Sequence, residues 1–165
     1  MGNKAFFLDR DGVIIKDYGY VYKKEDLDFI EGCFEALKYL QSLSYKLIIV
    51  TNQSGIARGL FSEKQFHEFD FYMKKLLISK GIKIEETFYC PHHPDSRIAK
   101  YRKNCNCRKP KSGMLEQAIT KHHVDKSNSF LVGDNKRDII AGEFIGIKSF
   151  LFKSNNLNQF IRNIL

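Results

Sequence analysis

Two carboxylates one residue apart, Asp9 and Asp11, follow the apolar run Ala5 to Leu8 and precede Gly12. In an extended chain alternate residues share a side, so the two acids can converge on one cation and one substrate while Arg10 points away. That pair suits phosphoryl transfer. One aspartate can attack phosphorus to give an aspartyl-phosphate, while its neighbour protonates the leaving oxygen and later activates water. The plain alternative is a turn at the end of a strand, because Asp-Gly is a common turn dipeptide.

Three more segments present chemistry in the same way. The β-branched run Lys46 to Val50 ends in Thr51, Asn52 and Gln53, and the run Ser129 to Gly133 ends in Asp134, with Asp138 close behind. Lys109, in the string CRKP, could offset the charge of a phosphate and its carboxylates. Taken singly, Thr51 reads as a strand-end residue and Asp134 as a helix cap. Taken in order, they read as one site.

Cys90, Cys105 and Cys107 form a separate set with a histidine: Cys-x-His, twelve residues, then Cys-x-Cys. Three thiolates and an imidazole suit tetrahedral Zn²⁺, although both halves are tighter than the usual Cys-x-x-Cys. His92 and His93 are equally placed by spacing alone. With no ligand position left for water such a centre is structural, and it would pin a loop of about residues 90–109 that carries Arg108 and Lys109. Cys33 reads as a core thiol, and His67, His122 and His123 as surface residues without partners.

The elements that must position these groups follow from periodicity. Ala5–Leu8 and Lys46–Val50 are continuous apolar runs, the pattern of strands buried on both faces. Residues 33–43 place Phe34, Leu37 and Leu40 at helical spacing. Ser62 and Gln65 make a capping box ahead of Phe66, Phe69, Met73, Leu76 and Leu77, and Gly81 closes that helix. A strand through Thr87–Tyr89, a helix from Met114, a strand ending at Asp134, a helix after it and a short strand Lys148–Phe152 complete the pattern. Strands alternating with helices predict an α/β, doubly wound, mostly parallel sheet of five or six strands with helices on both faces. Residues 13–30 have no clean period and read as a flap over the site, with no large cap domain. We expect one domain over residues 1–165.

With 165 residues and 43% hydrophobic content the chain can bury a single core. No stretch approaches ~20 uncharged apolar residues, which predicts no membrane segment and a cytoplasmic protein. Position 6 is Phe where an acylation motif wants Ser or Thr, which argues against lipidation at Gly2. Lys plus Arg outnumber Asp plus Glu by 27 to 19, a net charge of +8 that favours anionic ligands. The densest basic stretch, Lys100 to Lys111, coincides with the cysteine loop and lacks the interleaved stacking aromatics of a single-strand nucleic-acid groove. A phosphorylated small molecule is therefore the expected partner, with no nucleic acid and no membrane, for a monomer.

In chain order, DRDG, TNQ, the CRKP lysine and GDNKRD resemble the four motifs of the haloacid dehalogenase superfamily of phosphatases. The resemblance implies Asp9 as nucleophile and Asp11 as general acid/base, with Thr51 and Lys109 stabilising the phosphoryl group. It implies Mg²⁺ held by Asp9, the backbone carbonyl of Asp11, and Asp134. Within the superfamily, YGYV, TNQSGIARG, CPHHP and CNCRKP resemble the heptose 1,7-bisphosphate 7-phosphatases, which serve activated-heptose and lipopolysaccharide-core synthesis. That implies substrate contacts from Asp17, Tyr18, Gly19, Tyr20, Asn52, Gln53, Ser54, Arg108 and Asn135, and zinc on Cys90, His92, Cys105 and Cys107. Three positions depart from the pattern: Tyr18 for His, Asn135 for Lys and Val13 for Thr. Histidinol-phosphate phosphatase is the nearest rival, disfavoured by SGIARG, and a nucleic-acid 3′-end phosphatase the next.

Overall fold

The computed structural model describes residues 2–165. Its five strands are β1 (Ala5–Leu8), β2 (Lys46–Asn52), β3 (Ile84–Cys90), β4 (Phe130–Gly133) and β5 (Lys148–Leu151). They form one parallel sheet in the order β3-β2-β1-β4-β5. Central β1 pairs on both edges: Phe6 lies opposite Leu47 and Phe130, and Leu8 opposite Ile49 and Val132. All four of its residues are fully buried, which is why it reads as an unbroken apolar run.

The helices are α1 (Cys33–Ser42), α2 (Ser54–Ala57), α3 (Glu63–Ser79), α4 (Gly113–His122), α5 (Lys136–Phe144) and α6 (Leu157–Ile164). Alternation along β1 divides the core. Phe6 and Leu8 pack with Leu37 and Leu40 of α1, Phe69 and Met73 of α3, and Leu157 and Ile161 of α6. Ala5 and Phe7 face the other way, onto Met114, Leu115 and Ala118 of α4 and Ala141 of α5. Both layers therefore rest on one four-residue strand. The sequence runs outward from β1 to β2 and β3, then returns to β4 on its other edge. That reversal opens a crevice at the carboxyl ends of β1 and β4, where doubly wound sheets bind ligands.

Several elements match the pattern closely. The capping box of α3 is complete, with Ser62 Oγ accepting from Gln65 N at 3.1 Å and Gln65 Oε1 from Ser62 N at 2.9 Å. Cys33 is buried as expected, and burial pushes its thiol up to about 12. Two expectations need correction. Val13, Ile14 and Ile15 at the start of the presumed flap are fully buried core residues, as their apolar character requires, and the continuously exposed stretches are Lys16–Tyr20 and Lys23–Asp26. Helix α6 lies beyond the last element expected from the pattern. It begins at Asn156, whose Oδ1 accepts from Gln159 N at 3.0 Å, and packs against α1. Among the described residues no helix is long and apolar enough to cross a membrane.

Candidate active site

The carboxyl end of β1 delivers Asp9 to the floor of a cavity of about 220 Å³, lined also by Asp11, Asp17, Gly19, Tyr20, Asn52, Gln53, Ser54, Arg108, Asp134 and Arg137. Asp9 Oδ1 accepts from Arg10 N at 2.8 Å, and Oδ2 lies 3.1 Å from Lys109 Nζ. Lys109 is itself 2% exposed, so its ammonium must be satisfied within the protein. It donates to Val50 O at 2.8 Å and ion-pairs with Asp138 Oδ1 at 2.7 Å. Burial pushes the Lys109 ammonium down, but Asp9 and Asp138 more than offset it and hold it above its ordinary value. Asp9 is shifted the other way for a carboxylate: burial pushes it up to about 7 against the pull of Lys109, and Asp138, Asp11 and Asp134 push in the same direction as burial.

Asn52, the last residue of β2, fixes Lys109 by its backbone. Its Nδ2 donates to Lys109 O at 3.1 Å, and its Oδ1 accepts from Lys109 N at 3.0 Å. A side-chain amide thus pairs with both backbone polar groups of one residue. Asp11 is held as tightly: Arg10 Nε and Nη2 donate to its two oxygens at 3.1 and 2.9 Å, and Gln53 Nε2 donates at 3.0 Å. Gln53 also donates to Thr51 Oγ1 at 2.9 Å. Gly12 between the clusters is required twice over. Its φ is +83°, and a Cβ there would collide with the Asp134 carboxylate.

Oxygens of Asp9, Asp134 and Asp138 lie within 4.8 Å of one another, a set of hard ligands that fits a divalent cation. Asp138 is the most committed of the three, since its Oδ2 accepts from Asn135 N at 3.0 Å and its Oδ1 faces Lys109. A second cluster joins Cys90 at the end of β3 to His92, Cys105 and Cys107, again within 4.8 Å. Cys107 Sγ lies 3.0 Å from Cys90 Sγ, 3.3 Å from Cys105 Sγ and 3.3 Å from His92 Nδ1. The hydrogen bond with Cys90, with help from His92 and Cys105, draws the Cys107 thiol down despite burial, and the same contact pushes the Cys90 thiol up. Arg108 and Lys109 follow directly on this cluster.

The sequence profile of the polynucleotide kinase 3 phosphatase family matches residues 4–154. D-glycero-beta-D-manno-heptose-1,7-bisphosphate 7-phosphatase of Haemophilus ducreyi is 47% identical over 150 residues, covering 90% of this chain and 82% of that protein. D-glycero-alpha-D-manno-heptose-1,7-bisphosphate 7-phosphatase of Photorhabdus laumondii is 46% identical over 93% of this chain and 84% of its own. A crystal structure of D,D-heptose 1,7-bisphosphate phosphatase from B. bronchiseptica, complexed with magnesium and phosphate, superposes with a TM-score of 0.81 at 29% identity, covering 98% of this chain and 87% of that one. The chain belongs to the polynucleotide kinase 3 phosphatase family within the haloacid dehalogenase superfamily. It is a phosphatase.

Most residues singled out in the sequence reach one cavity in this phosphatase, but not all on its wall. Thr51 and Lys109 are buried beneath it. Tyr18, expected at the substrate, is 62% exposed and donates from its hydroxyl to Asp28 Oδ2 at 2.6 Å, outside the cavity lining. Asn135 is the N-cap of α5, its Oδ1 accepting from Arg137 N at 3.2 Å, and it too is off the wall. Arg10 leaves the cavity as alternation predicts, yet folds back onto Asp11 because β1 has ended by then, and it donates to Val21 O at 2.8 Å. His122 is not a free surface residue: its Nε2 lies 2.7 Å from Glu86 Oε2. His67, exposed as expected, has Tyr89 as a neighbour at 3.2 Å. Sequence reasoning missed Arg137, whose only signal was its place two residues beyond Asn135 in GDNKRD.

Proposed function

We propose that this phosphatase removes the 7-phosphate of D-glycero-D-manno-heptose 1,7-bisphosphate through an aspartyl-phosphate on Asp9. The observation that carries the chemistry is the placement of Asp9 at the cavity floor with one oxygen on a backbone N–H and the other on buried Lys109. The relatives supply the sugar, since a protein of that name is 47% identical over 90% of the chain.

Asp9 attacks phosphorus, the bond from phosphorus to the sugar oxygen breaks, and its electron pair leaves with that oxygen. Asp11 supplies the proton, then takes one from the water that attacks the phosphoryl group and returns Asp9 as carboxylate. In the structure Asp11 faces Arg10 and Gln53, so this role requires its carboxylate to turn from them toward the cavity it already lines. Lys109 and Thr51 offset the growing charge on the phosphoryl oxygens, and Asp138 and Asn52 hold Lys109 in place. Asp9, Asp134 and the Asp11 carbonyl would hold Mg²⁺, which neutralises phosphate charge when bound. Cys90, His92, Cys105 and Cys107 would hold a structural Zn²⁺ in a compartment reducing enough to keep thiols free, the cytoplasm. The product retains its anomeric phosphate and would go on to nucleotide activation for lipopolysaccharide-core synthesis.

A substrate panel tests this. We expect phosphate release from a heptose 1,7-bisphosphate anomer to exceed that from histidinol phosphate or a 3′-phosphorylated oligonucleotide by at least ~100-fold in kcat/KM, a difference of about 2.7 kcal/mol in transition-state binding. The family profile favours the 3′-end as the second reading. Faster turnover of the oligonucleotide would put that reading first.

A further inference from the structure

Two arginines line the active-site cavity without an acidic partner. Neither Arg108 nor Arg137 has a carboxylate within 4.0 Å among the described residues. Arg108 Nη1 and Arg137 Nε are moreover buried nitrogens with no hydrogen-bond partner. A buried guanidinium N–H left unmade is costly, and two in one small cavity are costlier still. They come from unrelated parts of the chain. Arg108 follows the cysteine cluster, while Arg137 stands at the start of α5, where its backbone is fixed by the Asn135 cap.

We propose that Arg137 is a specificity residue which, with Arg108, clamps the non-reacting anionic group of the substrate. The proposal rests on the bisphosphate reading above and adds to it the group that recognises the second phosphate. Of the other cations of the site, Arg10 is committed to Asp11, and Lys109 lies between Asp9 and Asp138 below the cavity wall and is committed to the reacting phosphate. A planar fork presents parallel N–H donors, and two forks on one phosphate satisfy the orphaned nitrogens and relieve the repulsion between them. The competing assignment is electrostatic: Arg137 would merely balance Asp134, the nearby carboxylate whose charge it helps to stabilise.

The full-length protein, metal-loaded, would be compared as wild type, Arg137→Ala and Arg137→Lys. Readouts are kcat/KM for heptose 1,7-bisphosphate and for p-nitrophenyl phosphate, together with inhibition by heptose 1-phosphate, the product that keeps the second phosphate. We expect Arg137→Ala to lower kcat/KM for the bisphosphate and weaken heptose 1-phosphate inhibition by roughly 10- to 100-fold each. Turnover of p-nitrophenyl phosphate should stay within ~3-fold of wild type, and Arg137→Lys should recover part of the loss by restoring charge without the fork. Equal losses on both substrates assign Arg137 to Asp134 or to the fold and overturn the proposal. An unchanged bisphosphate preference in Arg137→Ala overturns it while leaving the bisphosphate reading intact. A wild type that shows no preference for a second phosphate and no inhibition by heptose 1-phosphate overturns both.

Discussion

Asp9 and Asn52 show two ways in which single side chains make this site. Asp9 is proposed to do the chemistry, so Asp9→Asn should abolish turnover while leaving the thermal midpoint within a few degrees of wild type, because an amide cannot attack phosphorus. Residual wild-type-like phosphate release from a preparation shown by mass to be free of deamidation would remove the nucleophile assignment. Asn52 acts at one remove, by closing two hydrogen bonds on the backbone N–H and C=O of Lys109. Losing both should cost about 1–3 kcal/mol of transition-state stabilisation, or ~10-fold or more in kcat/KM, in Asn52→Ala. The loss should appear with p-nitrophenyl phosphate as much as with a bisphosphate, since Lys109 is proposed to serve the reacting phosphate that both share. A loss confined to the bisphosphate would instead put Asn52 on the sugar.

Among the elements, the segment between β3 and α4 has little regular structure and must be held from outside. The four-ligand cluster ties its ends, while Ser96 Oγ donates to Ala57 O at 2.6 Å and anchors its middle to α2. Removing the proposed zinc by slow chelation should therefore lower stability and activity together, and Cys107→Ser should do the same. Metal analysis finding no zinc, or full activity in Cys107→Ser, would remove zinc from that role. Glu63 of α3 supplies a pH-dependent clamp on the same loop, accepting from Tyr89 OH at 2.6 Å, Tyr101 OH at 2.7 Å and Lys100 Nζ at 3.1 Å. These donors, Tyr89 first, hold its carboxyl down at about 2 against an ordinary 4.5. A depressed carboxylate stabilises the fold above its unfolded-state value and loses that contribution as pH falls through the folded one. The stability gap between wild type and Glu63→Gln should thus be widest above pH ~5 and shrink toward pH ~2. Chemical denaturation across that range measures it, and a gap independent of pH would mean that Glu63 acts by packing.

For the whole molecule, β1 is the common wall of both core layers and also carries the acids. Phe7 is fully buried against the α4 and α5 layer, so Phe7→Ala should cost about 3–5 kcal/mol, the usual range for deleting a buried aromatic. That is a large share of the 5–15 kcal/mol that stabilises a typical domain. Asp9 lies two residues on, so its alignment with Lys109 should loosen as well, and activity should fall at temperatures where the variant is still folded. Denaturation curves and kinetics on the same samples separate the two effects.

What the sequence determined by itself was local. Continuous apolar runs identified β1, β2 and β4 because a strand buried on both faces has no polar side to show, and the capping box of α3 was legible because its partners are three residues apart. Asp9, Asp134 and the cysteine set were legible because strand ends and ligand spacings are written in adjacent residues. Tertiary structure decided what depends on distant partners. Arg10 turned back onto Asp11, Asn135 became a helix cap, and Asn52 reached a peptide 57 residues away in sequence. His122 found Glu86 across the gap between α4 and β3, and α6 gained its place from α1. Arg137 became part of the cavity only because β4 lies beside β1 in the sheet, a neighbour relation set by the packing of the whole core.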